Sequence, residues 1–399
     1  MMRKKIALIM VLAMLLLSAC GGGSGAGAGS NSGGGGEAAA PIRFGIMGPI
    51  TGPNVLQGTY ASHGADIFER MINEDGGILG RPVEVIFEDL GETEQSSIST
   101  YTKLASRGDL SGIGIVSNTN FAIAVDDVAK EMKFPTCSSS ASNAFPALEN
   151  PYFWMLRASE TVMGEGLISL VADDLGYQRI AIIHGTDSHC AAGNDALLLA
   201  LRNRGMEPVI DLAYETNENQ YGPLLAQISA AKPDVIVGWS QAPDCPKILT
   251  QRMETDLADL PFYGSTAYAS VTCFTVAGVG PTNGVYSFTD LPTVPETDLG
   301  KKVNQYHEEM FDGLPDIFTS FSFDELCVMK AAVELAAASG EENPADPAVV
   351  NAYIPQVEHV EGASTFFTGN GKLTMGEDFY LVQWEEGNTI VRGAIKLEH

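Results

Sequence analysis

The stretch of residues 112–142 decides the fold, and it reads GIGIVSNTNFAIAVDDVAKEMKFPTCSSSAS. An apolar run over residues 113–116 precedes a helical pattern that extends to Lys133, and a second short apolar run follows. This order predicts a strand, a helix and a second strand parallel to the first. Both strands end in hydroxyl or amide side chains, and the carboxyl ends of parallel strands form the ligand crevice of an open sheet. We therefore predict that residues 117–120 and 138–142 together form a cradle for a carboxylate.

An alternative interpretation of the same side chains is helix capping. Ser, Thr and Asn oxygens often accept hydrogen bonds from the free N–H groups at the start of a helix. One cluster alone favours capping, whereas two clusters in consecutive strand–helix loops favour a ligand site.

The amino terminus has the pattern of an exported lipoprotein. Three basic residues precede an apolar run over residues 6–17, which is too short to span a bilayer permanently. The run closes in Leu-Ser-Ala-Cys, which resembles the lipobox of bacterial lipoproteins and implies a signal peptide over residues 1–19 and a lipid on Cys20. A plain secretory signal is the alternative. Residues 20–40, rich in Gly, Ser and Ala, predict a flexible tether that holds the folded part outside the cytoplasm at the cell membrane.

The remaining chain, residues 41–399, exceeds the size at which a single core keeps growing, so two lobes are predicted. The whole chain has 23 basic and 50 acidic residues; without the three basic residues of the signal peptide, 20 basic residues face 50 acidic ones, a net charge of −30. So acidic a surface argues against nucleic acid as a partner and against binding of the body to anionic lipid.

Five cysteines follow Cys20, and their spacing is not that of a zinc site, so neither a metal nor another cofactor is predicted. Cys190, Cys245 and Cys273 all follow predicted strands in one half of the chain. Both a disulfide among them and buried free thiols fit this pattern.

Strand and helix patterns alternate with short connections along most of the chain, which predicts an α/β fold with parallel, doubly wound sheets. The pattern indicates helices over about 62–74, 194–204 and 323–338, with Asp324 as a cap or dipole partner at the start of the last. After residue 366 the period changes to two, which predicts two hairpins.

Seven segments carry a resemblance to a known family. They are GPITGPNVLQG (48–58), INEDGGILGRPVEVIFED (72–89), GIVSNTNFAIAV (114–125), FPTCSSSAS (134–142), RIAIIHGTDSHCAAG (179–193), KPDVIVGWSQ (232–241) and FSFDELCVMKAAVELA (321–336). In this order and spacing they resemble the extracellular solute-binding proteins of ABC transporters in the leucine/isoleucine/valine-binding class, which have the type I periplasmic-binding fold.

The resemblance implies two Rossmann-like lobes with parallel sheets, joined by three hinge crossings. The first lobe is expected over residues 41–158 plus 288–365, and the second over residues 159–287 plus 366–399. A small ligand would bind between the lobes, which close around it and present a recognisable shape to the transporter permease.

The resemblance also implies site residues in the first lobe. Asn118 and Thr119 stand where the family binds the carboxylate of its ligand, assisted by the backbone of Ala141 and the hydroxyl of Ser142. Gln57 stands where relatives often place an aromatic residue over the ligand side chain.

In the second lobe the chain departs from the family pattern. His189 and Gln241 stand at usual Tyr positions, Cys190 replaces a usual Gly, and Trp239 lies at the end of the strand that precedes Gln241. Thr266 stands where amino-acid binders commonly place a Glu against the ligand ammonium.

A buried ammonium needs a compensating carboxylate, because an unpaired buried charge is costly. With Thr at position 266, only Asp187, Asp244 or Asp290 could supply it, and none stands at the expected position. We therefore expect a carboxylate or an amide that lacks an α-ammonium, with a side chain more polar than that of leucine.

The resulting prediction is a lipid-anchored binding protein that captures an amino acid or a related acid or amide for an ABC importer. A ligand-sensing receptor subunit with the same fold is the alternative. A catalytic set of His184, Asp187, His189 and Cys190 is a third interpretation. It is disfavoured because neighbouring residues of one loop cannot easily act as nucleophile and base, and no enzyme is predicted.

Overall fold

The computed structural model describes residues 40–142, 149–289, 292–369, 376 and 378–396. The predicted signal peptide, Cys20, nearly all of the predicted tether and Asp290 lie outside the described residues.

The first sheet has five strands, all parallel, in the order β2-β1-β3-β4-β5. The strands are β1 (Ile42–Gly48), β2 (Val83–Asp89), β3 (Ile113–Ile115), β4 (Thr136–Ser138) and β5 (Phe153–Met155). Because β3 and β4 pair directly, with Ile115 opposite Ser138, the two polar clusters that follow them start at the same edge of the sheet. The parallel pair predicted from this stretch is confirmed.

The second sheet has seven strands in the order β14-β13-β10-β9-β8-β6-β7. They are β6 (Ile180–Gly185), β7 (Ile210–Tyr214), β8 (Val235–Trp239), β9 (Phe262–Gly264), β10 (Tyr286–Thr289), β13 (Asp378–Glu385) and β14 (Asn388–Lys396). The sheet is parallel from β7 to β10, and the hairpin β13–β14 adds to β10 in antiparallel orientation. The last hairpin is as predicted.

Helices cover both faces of each sheet. In chain order they are α1 (Val55–Glu74), α2 (Glu94–Ala105), α3 (Thr119–Met132), α4 (Glu160–Ile168), α5 (Ser188–Asn203), α6 (Gly222–Ala231), α7 (Cys245–Arg252), α8 (Val271–Ala277), α9 (Val279–Thr282), α10 (Asp298–Phe311), α11 (Ile317–Ala338) and α12 (Pro347–Tyr353). A π-helical turn (Ser169–Asp174) extends α4, and short 3-10 turns cover Thr266–Ala269 and Ile354–Gln356.

Each lobe has its core on both faces of its sheet. In the first lobe, α1 and α11 bury Phe68 and Phe323 against one face, and α2 and α3 pack on the other. In the second lobe, α4 and α5 cover one face and α6, α7 and α8 the other. The fold class predicted from the sequence, two α/β lobes with mainly parallel sheets, is confirmed.

The chain passes between the lobes three times. The first passage follows β5, the second follows Thr289 at the end of β10, and the third follows the short strand β12 (Phe366–Phe367). This strand pairs with β11 (Val360–Glu361), and Phe367 lies in the core of the first lobe. The lobe limits at residues 158, 288 and 365 stay predictions.

Three helices begin six or seven residues before their predicted starts, at Val55, Ser188 and Ile317. The last two follow Asp187 and Asp316, whose carboxylates accept hydrogen bonds from the N–H groups of the first turn. Asp324 is therefore an interior residue of α11 and not a cap. Its carboxylate accepts hydrogen bonds from the backbone N–H groups of Ala363 and Ser364 beside the third crossing.

The cysteines in the described part of the chain are all free thiols and all buried, so the disulfide alternative is not seen. Within those same residues, no helix has both the length and the hydrophobicity needed to cross a bilayer. They also hold no cluster of three metal-ligating side chains.

Candidate ligand-binding site

A cavity of about 60 Å³ lies between the lobes, where the carboxyl ends of strands from both sheets meet. From the first lobe it is lined by Gln57, Val116, Ser117, Asn118, Thr119, Ser139, Ser140, Ala141, Ile317, Phe318 and Phe321. From the second lobe it is lined by His189, Ser240, Gln241, Ala242, Thr266 and Ala267, and Arg157 lies at the first crossing. Seven of the nine predicted site residues thus line one cavity, whereas Ser142 and Trp239 do not.

The start of α3 forms one part of the first-lobe wall. Asn118 is the N-cap residue, but its side chain makes no capping hydrogen bond to the helix. The first-turn N–H groups of a helix have no partner within the helix, and they carry the positive end of its dipole. This end of the cavity therefore suits an anionic group.

Hydrogen bonds fix the side chains of the serines that follow β4. The Ser139 hydroxyl donates to Oε1 of Glu325 over 2.7 Å, and the hydroxyls of Ser138 and Ser140 bond each other over 3.1 Å. Glu325 belongs to α11 and is fully buried. Burial raises the pKa of Glu325 well above its ordinary value, although hydrogen bonds from Ser139 act in the opposite direction. Ser142 is buried but does not reach the cavity.

Gln57 lies in the first turn of α1, and its side chain is 2% exposed. Its Nε2 donates to Asn54 Oδ1 over 3.3 Å, whereas Oε1 has no hydrogen-bond partner. The helix approaches the loop before it closely, since a Cβ added at Gly58 would lie 2.2 Å from the carbonyl oxygen of Pro49. That approach explains why a glycine lies inside the helix at this position.

Asp187 organises the second-lobe wall. Its Oδ1 accepts hydrogen bonds from the backbone N–H groups of His189 and Cys190 and, over 2.8 Å, from Nε2 of Gln241. Its Oδ2 accepts a 2.8 Å hydrogen bond from Thr216. Burial alone would raise the pKa of Asp187, but side-chain hydrogen bonds from Cys190, Gln241 and Thr216, together with the neighbouring His189, outweigh it and lower the pKa below its ordinary value. The carboxylate caps α5 and fixes the Gln241 side chain at the cavity.

Both ring nitrogens of His189 bond to protein groups. Nδ1 lies 3.2 Å from Oε1 of Glu160, and Nε2 lies 3.2 Å from the indole Nε1 of Trp239. Because the indole N–H can only donate, Nε2 accepts, and the proton of a neutral ring is on Nδ1. His189 thus lines the cavity, and the hydrogen bond from Trp239 holds its ring in place.

Arg157 is the principal residue of the site that sequence reasoning missed. Its Nη2 donates to Thr266 Oγ1 over 2.9 Å, its Nη1 lies 3.4 Å from the carbonyl oxygen of Ser139, and its guanidinium lies 4.6 Å from the ring centroid of Phe321. It therefore contacts both lobes. A basic residue next to a predicted crossing, in so acidic a chain, was the signal that could have identified it.

Of the acidic groups considered from the sequence, Asp187 and Asp244 do not line the cavity, and Asp290 lies outside the described residues. Asp187 is engaged as described, and the buried Asp244 accepts hydrogen bonds from the Tyr221 hydroxyl and the Asn217 N–H. Glu160, which the sequence did not suggest, lies behind His189 and is itself fully buried. The described lining residues include no carboxylate.

The alternative catalytic set is not assembled for nucleophilic chemistry. Cys190 is fully buried below the first turn of α5, and burial raises the pKa of its thiol well above the ordinary value, with Asp187 adding to the effect. The reactive thiolate is therefore disfavoured. His184 bonds to the carbonyl oxygen of Gly185 through Nδ1, and its Nε2 lies 3.4 Å from Oδ1 of Asp211.

A family of binding proteins has these features: two α/β lobes, three crossings and a polar cavity between them. The family model described as periplasmic binding protein matches residues 41–389. The chain belongs to this family, and the resemblance to its leucine/isoleucine/valine-binding class is confirmed.

Proteins that resemble this chain in sequence or in structure are also named as binding proteins. The chain is 24% identical over 368 residues to the Leu/Ile/Val-binding protein BraC3 of Rhizobium johnstonii, covering 88% of this chain and 94% of that protein. Two solved structures share its fold with a TM-score of 0.77, each over 90% of this chain. They are the branched-chain amino acid transporter substrate-binding protein LivJ of Streptococcus pneumoniae with isoleucine (17% identity, 99% of that chain) and an R. palustris ABC transporter solute-binding protein with benzoate (16% identity, 98% of that chain).

Proposed function

We propose that the protein captures a small carboxylate-bearing solute between its lobes and delivers it to the permease of an ABC importer. The observation that carries this proposal is the single cavity walled by the start of α3 on one side and by Gln241 and Thr266 on the other. Relatives crystallised with isoleucine and with benzoate hold different carboxylates in the same fold, which supports the class of ligand but not its identity.

Capture requires both lobes, because each contributes only part of the wall. A ligand that contacts both walls stabilises the closed form by its differential affinity for that form. The buried thiol of Cys190 and the engaged carboxylate of Asp187 support a binding role over a catalytic one.

The test is a thermal-shift screen of the purified protein with amino acids, short carboxylates, amides and aromatic acids. A ligand of the folded state raises the melting temperature, so we expect at least one carboxylate to do so and to bind once per chain by calorimetry. Asn118→Ala should weaken that binding at least about tenfold, equivalent to about 1.4 kcal/mol. Asn343→Ala, which removes an exposed asparagine from the same lobe, should not. A screen without any shift would contradict the proposal.

We further propose that a lipid on Cys20 anchors the protein outside the cytoplasm, with residues 20–40 as the tether. Cys20→Ser should move the protein from the membrane fraction to the soluble fraction and abolish labelling by a radioactive fatty acid. Retention of the label in the variant would refute lipidation at this residue.

A further inference from the structure

We propose that Glu325 is a positioning residue of the ligand site: as a neutral carboxyl it donates a hydrogen bond to the Ser139 hydroxyl, which leaves the proton of that hydroxyl for an anionic ligand. This inference rests on the proposed function, because it names the buried group that sets the hydrogen-bond polarity of one wall of the same cavity.

Glu325 lies in an apolar part of the first lobe. It belongs to α11, which packs against β3 and β4, and it is fully buried. Its Oε2 is next to β3, since a Cβ added at Gly114 would lie 2.3 Å from Oε2 and 2.5 Å from Cδ1 of Ile46. Among the described residues, Oε2 has no hydrogen-bond partner. A negative charge on a carboxyl group in this position is costly, and the neutral form avoids it.

The described charged and titratable groups around Glu325 do not compensate a negative charge on it. Burial raises the pKa of Glu325, and Asp324 on the same helix raises it further, whereas the hydroxyl and the backbone N–H of Ser139 lower it by less. Cys137 on β4 is a buried thiol whose own pKa is raised by burial and by Glu325. Nη1 of Arg157 lies 3.4 Å from the carbonyl oxygen of Ser139, but Arg157 is not among the groups that lower the pKa of Glu325. Glu325 is therefore neutral in the folded protein.

The Ser139 hydroxyl connects Glu325 to the cavity. Its Oγ lies 2.7 Å from Oε1 of Glu325, and Ser139 lines the cavity. An ionised Glu325 can only accept this hydrogen bond, so it uses the one proton of the hydroxyl and leaves lone pairs for the ligand. A neutral carboxyl can donate instead, and the serine proton is then available to a ligand oxygen.

A carboxylate ligand benefits from the neutral form of Glu325 in two ways. A carboxylate only accepts hydrogen bonds, so it needs the proton of Ser139 rather than a lone pair. It also avoids a second negative charge on the other side of the hydroxyl, because two carboxyl groups that share one site do not both ionise readily. The hydroxyls of Ser138 and Ser140 bond each other. Of these three serines, Ser139 is the one bonded to the buried carboxyl.

Infrared spectroscopy tests the charge of Glu325 in the protein without ligand. The difference spectrum between the wild type and Glu325→Gln at pH 7 should contain the carbonyl band of a protonated carboxyl. The matched control is Glu309→Gln, which removes an exposed glutamate from the same lobe and should give the bands of an ionised carboxylate. Carboxylate bands in the Glu325→Gln difference spectrum would overturn this inference, whatever the ligand is.

Calorimetry on variants tests the effect of Glu325 on binding. The probes are benzoate, isoleucine and the carboxylate with the largest thermal shift in the screen. Glu325→Gln stays neutral and can still donate, so the affinity should remain within about threefold of the wild type. Ser139→Ala should weaken binding at least about tenfold. Glu325→Leu leaves the serine without its donor and should weaken binding at least about fivefold, but it should add nothing in a protein that already carries Ser139→Ala.

The outcomes separate this inference from the proposed function. Binding at least tenfold tighter in Glu325→Gln would show that the substitution removed a negative charge, and it would overturn the inference alone. Wild-type affinity in folded Ser139→Ala, or an undiminished effect of Glu325→Leu in the double variant, would do the same. Binding by no carboxylate of the screen would overturn the proposed function and this inference together.

Discussion

Trp239 shows how a single residue acts on the site without reaching it. The sequence placed it among the ligand contacts, but its indole is buried below His189 and donates to that ring. The indole lies against Gly193 of α5, where an added Cβ would be 2.1 Å from the ring. Only glycine allows α5 to approach the strand end so closely, so Gly193 determines where Trp239 and then His189 lie.

Gly193→Ala should therefore lower the free energy of unfolding by about 1–3 kcal/mol, because overpacking forces the indole or the helix to move. Ligand affinity should fall as well, since His189 loses its support. Chemical denaturation and calorimetry measure the two effects. The matched control is Gly222→Ala at the start of α6, where no atom lies within 4 Å of the added Cβ. Equal stability of the two variants would argue against this role of Gly193.

At the scale of elements, a pair of histidines joins α1 to α10. His63 Nδ1 lies 3.0 Å from His307 Nε2, and His307 Nδ1 lies 3.0 Å from the carbonyl oxygen of Gly313. Because the carbonyl can only accept, Nδ1 of His307 carries a proton, and its Nε2 accepts from His63 when both rings are neutral. Burial, with the neighbouring His307, lowers the pKa of His63 to about 4, and burial also lowers the pKa of His307.

This contact should weaken in acid. An unfolded histidine titrates near pH 6.5, so between that pH and about 4 the unfolded chain binds more protons than the folded one. The stabilisation is complete above pH 6.5 and is lost as the pH falls towards the folded pKa. After a discount for the partial exposure of His63, we expect the pair to contribute a loss of about 1 kcal/mol from pH 7 to pH 5.

The measurement is urea denaturation at the two pH values, in the wild type and in His63→Gln. The variant should show a smaller loss of stability in acid than the wild type. The same acid dependence in both proteins would exclude the histidine pair as its source.

At the scale of the whole molecule, the lobes are in direct contact around the cavity. Asp316 is fully buried, and its Oδ2 accepts a 2.6 Å hydrogen bond from the backbone N–H of Thr272 in the second lobe. The same carboxylate caps α11 in the first lobe. With the contact of Arg157 to Thr266 and the packing of α3 near α5, this bond gives the molecule a closed arrangement.

Asp316→Ala removes a buried acceptor that both lobes share, so it should favour the open form. We expect a larger radius of gyration in solution scattering without ligand and an affinity for the best ligand reduced about tenfold, because binding must then pay for closure. Asp346→Ala is the matched control, since it removes the cap of α12 through Ala348 within the first lobe. An effect of equal size in the control would show that the loss of a helix cap, rather than of the inter-lobe bond, is responsible.

The sequence by itself determined the order of strands and helices, the two-lobed α/β class, and seven of the residues around the cavity. Periodicity is a local property, and parallel strands all end at one edge of their sheet. Residues that follow β3 and β4 therefore lie together at one edge of the first sheet, and residues that follow β6, β8 and β9 lie together at one edge of the second. Helix starts were less certain from the pattern, because glycines such as Gly58 and polar caps such as Asp187 also occur in turns.

Only the tertiary structure decided which polar groups face the cavity and which are held by other parts of the protein. Asp187 accepts hydrogen bonds from its own helix and from Gln241. Trp239 donates to His189, which lies between it and the cavity. Arg157 donates to Thr266, which lies 109 positions further along the chain. These contacts join segments that are distant in sequence, and the burial that sets their charges exists only after the lobes have packed.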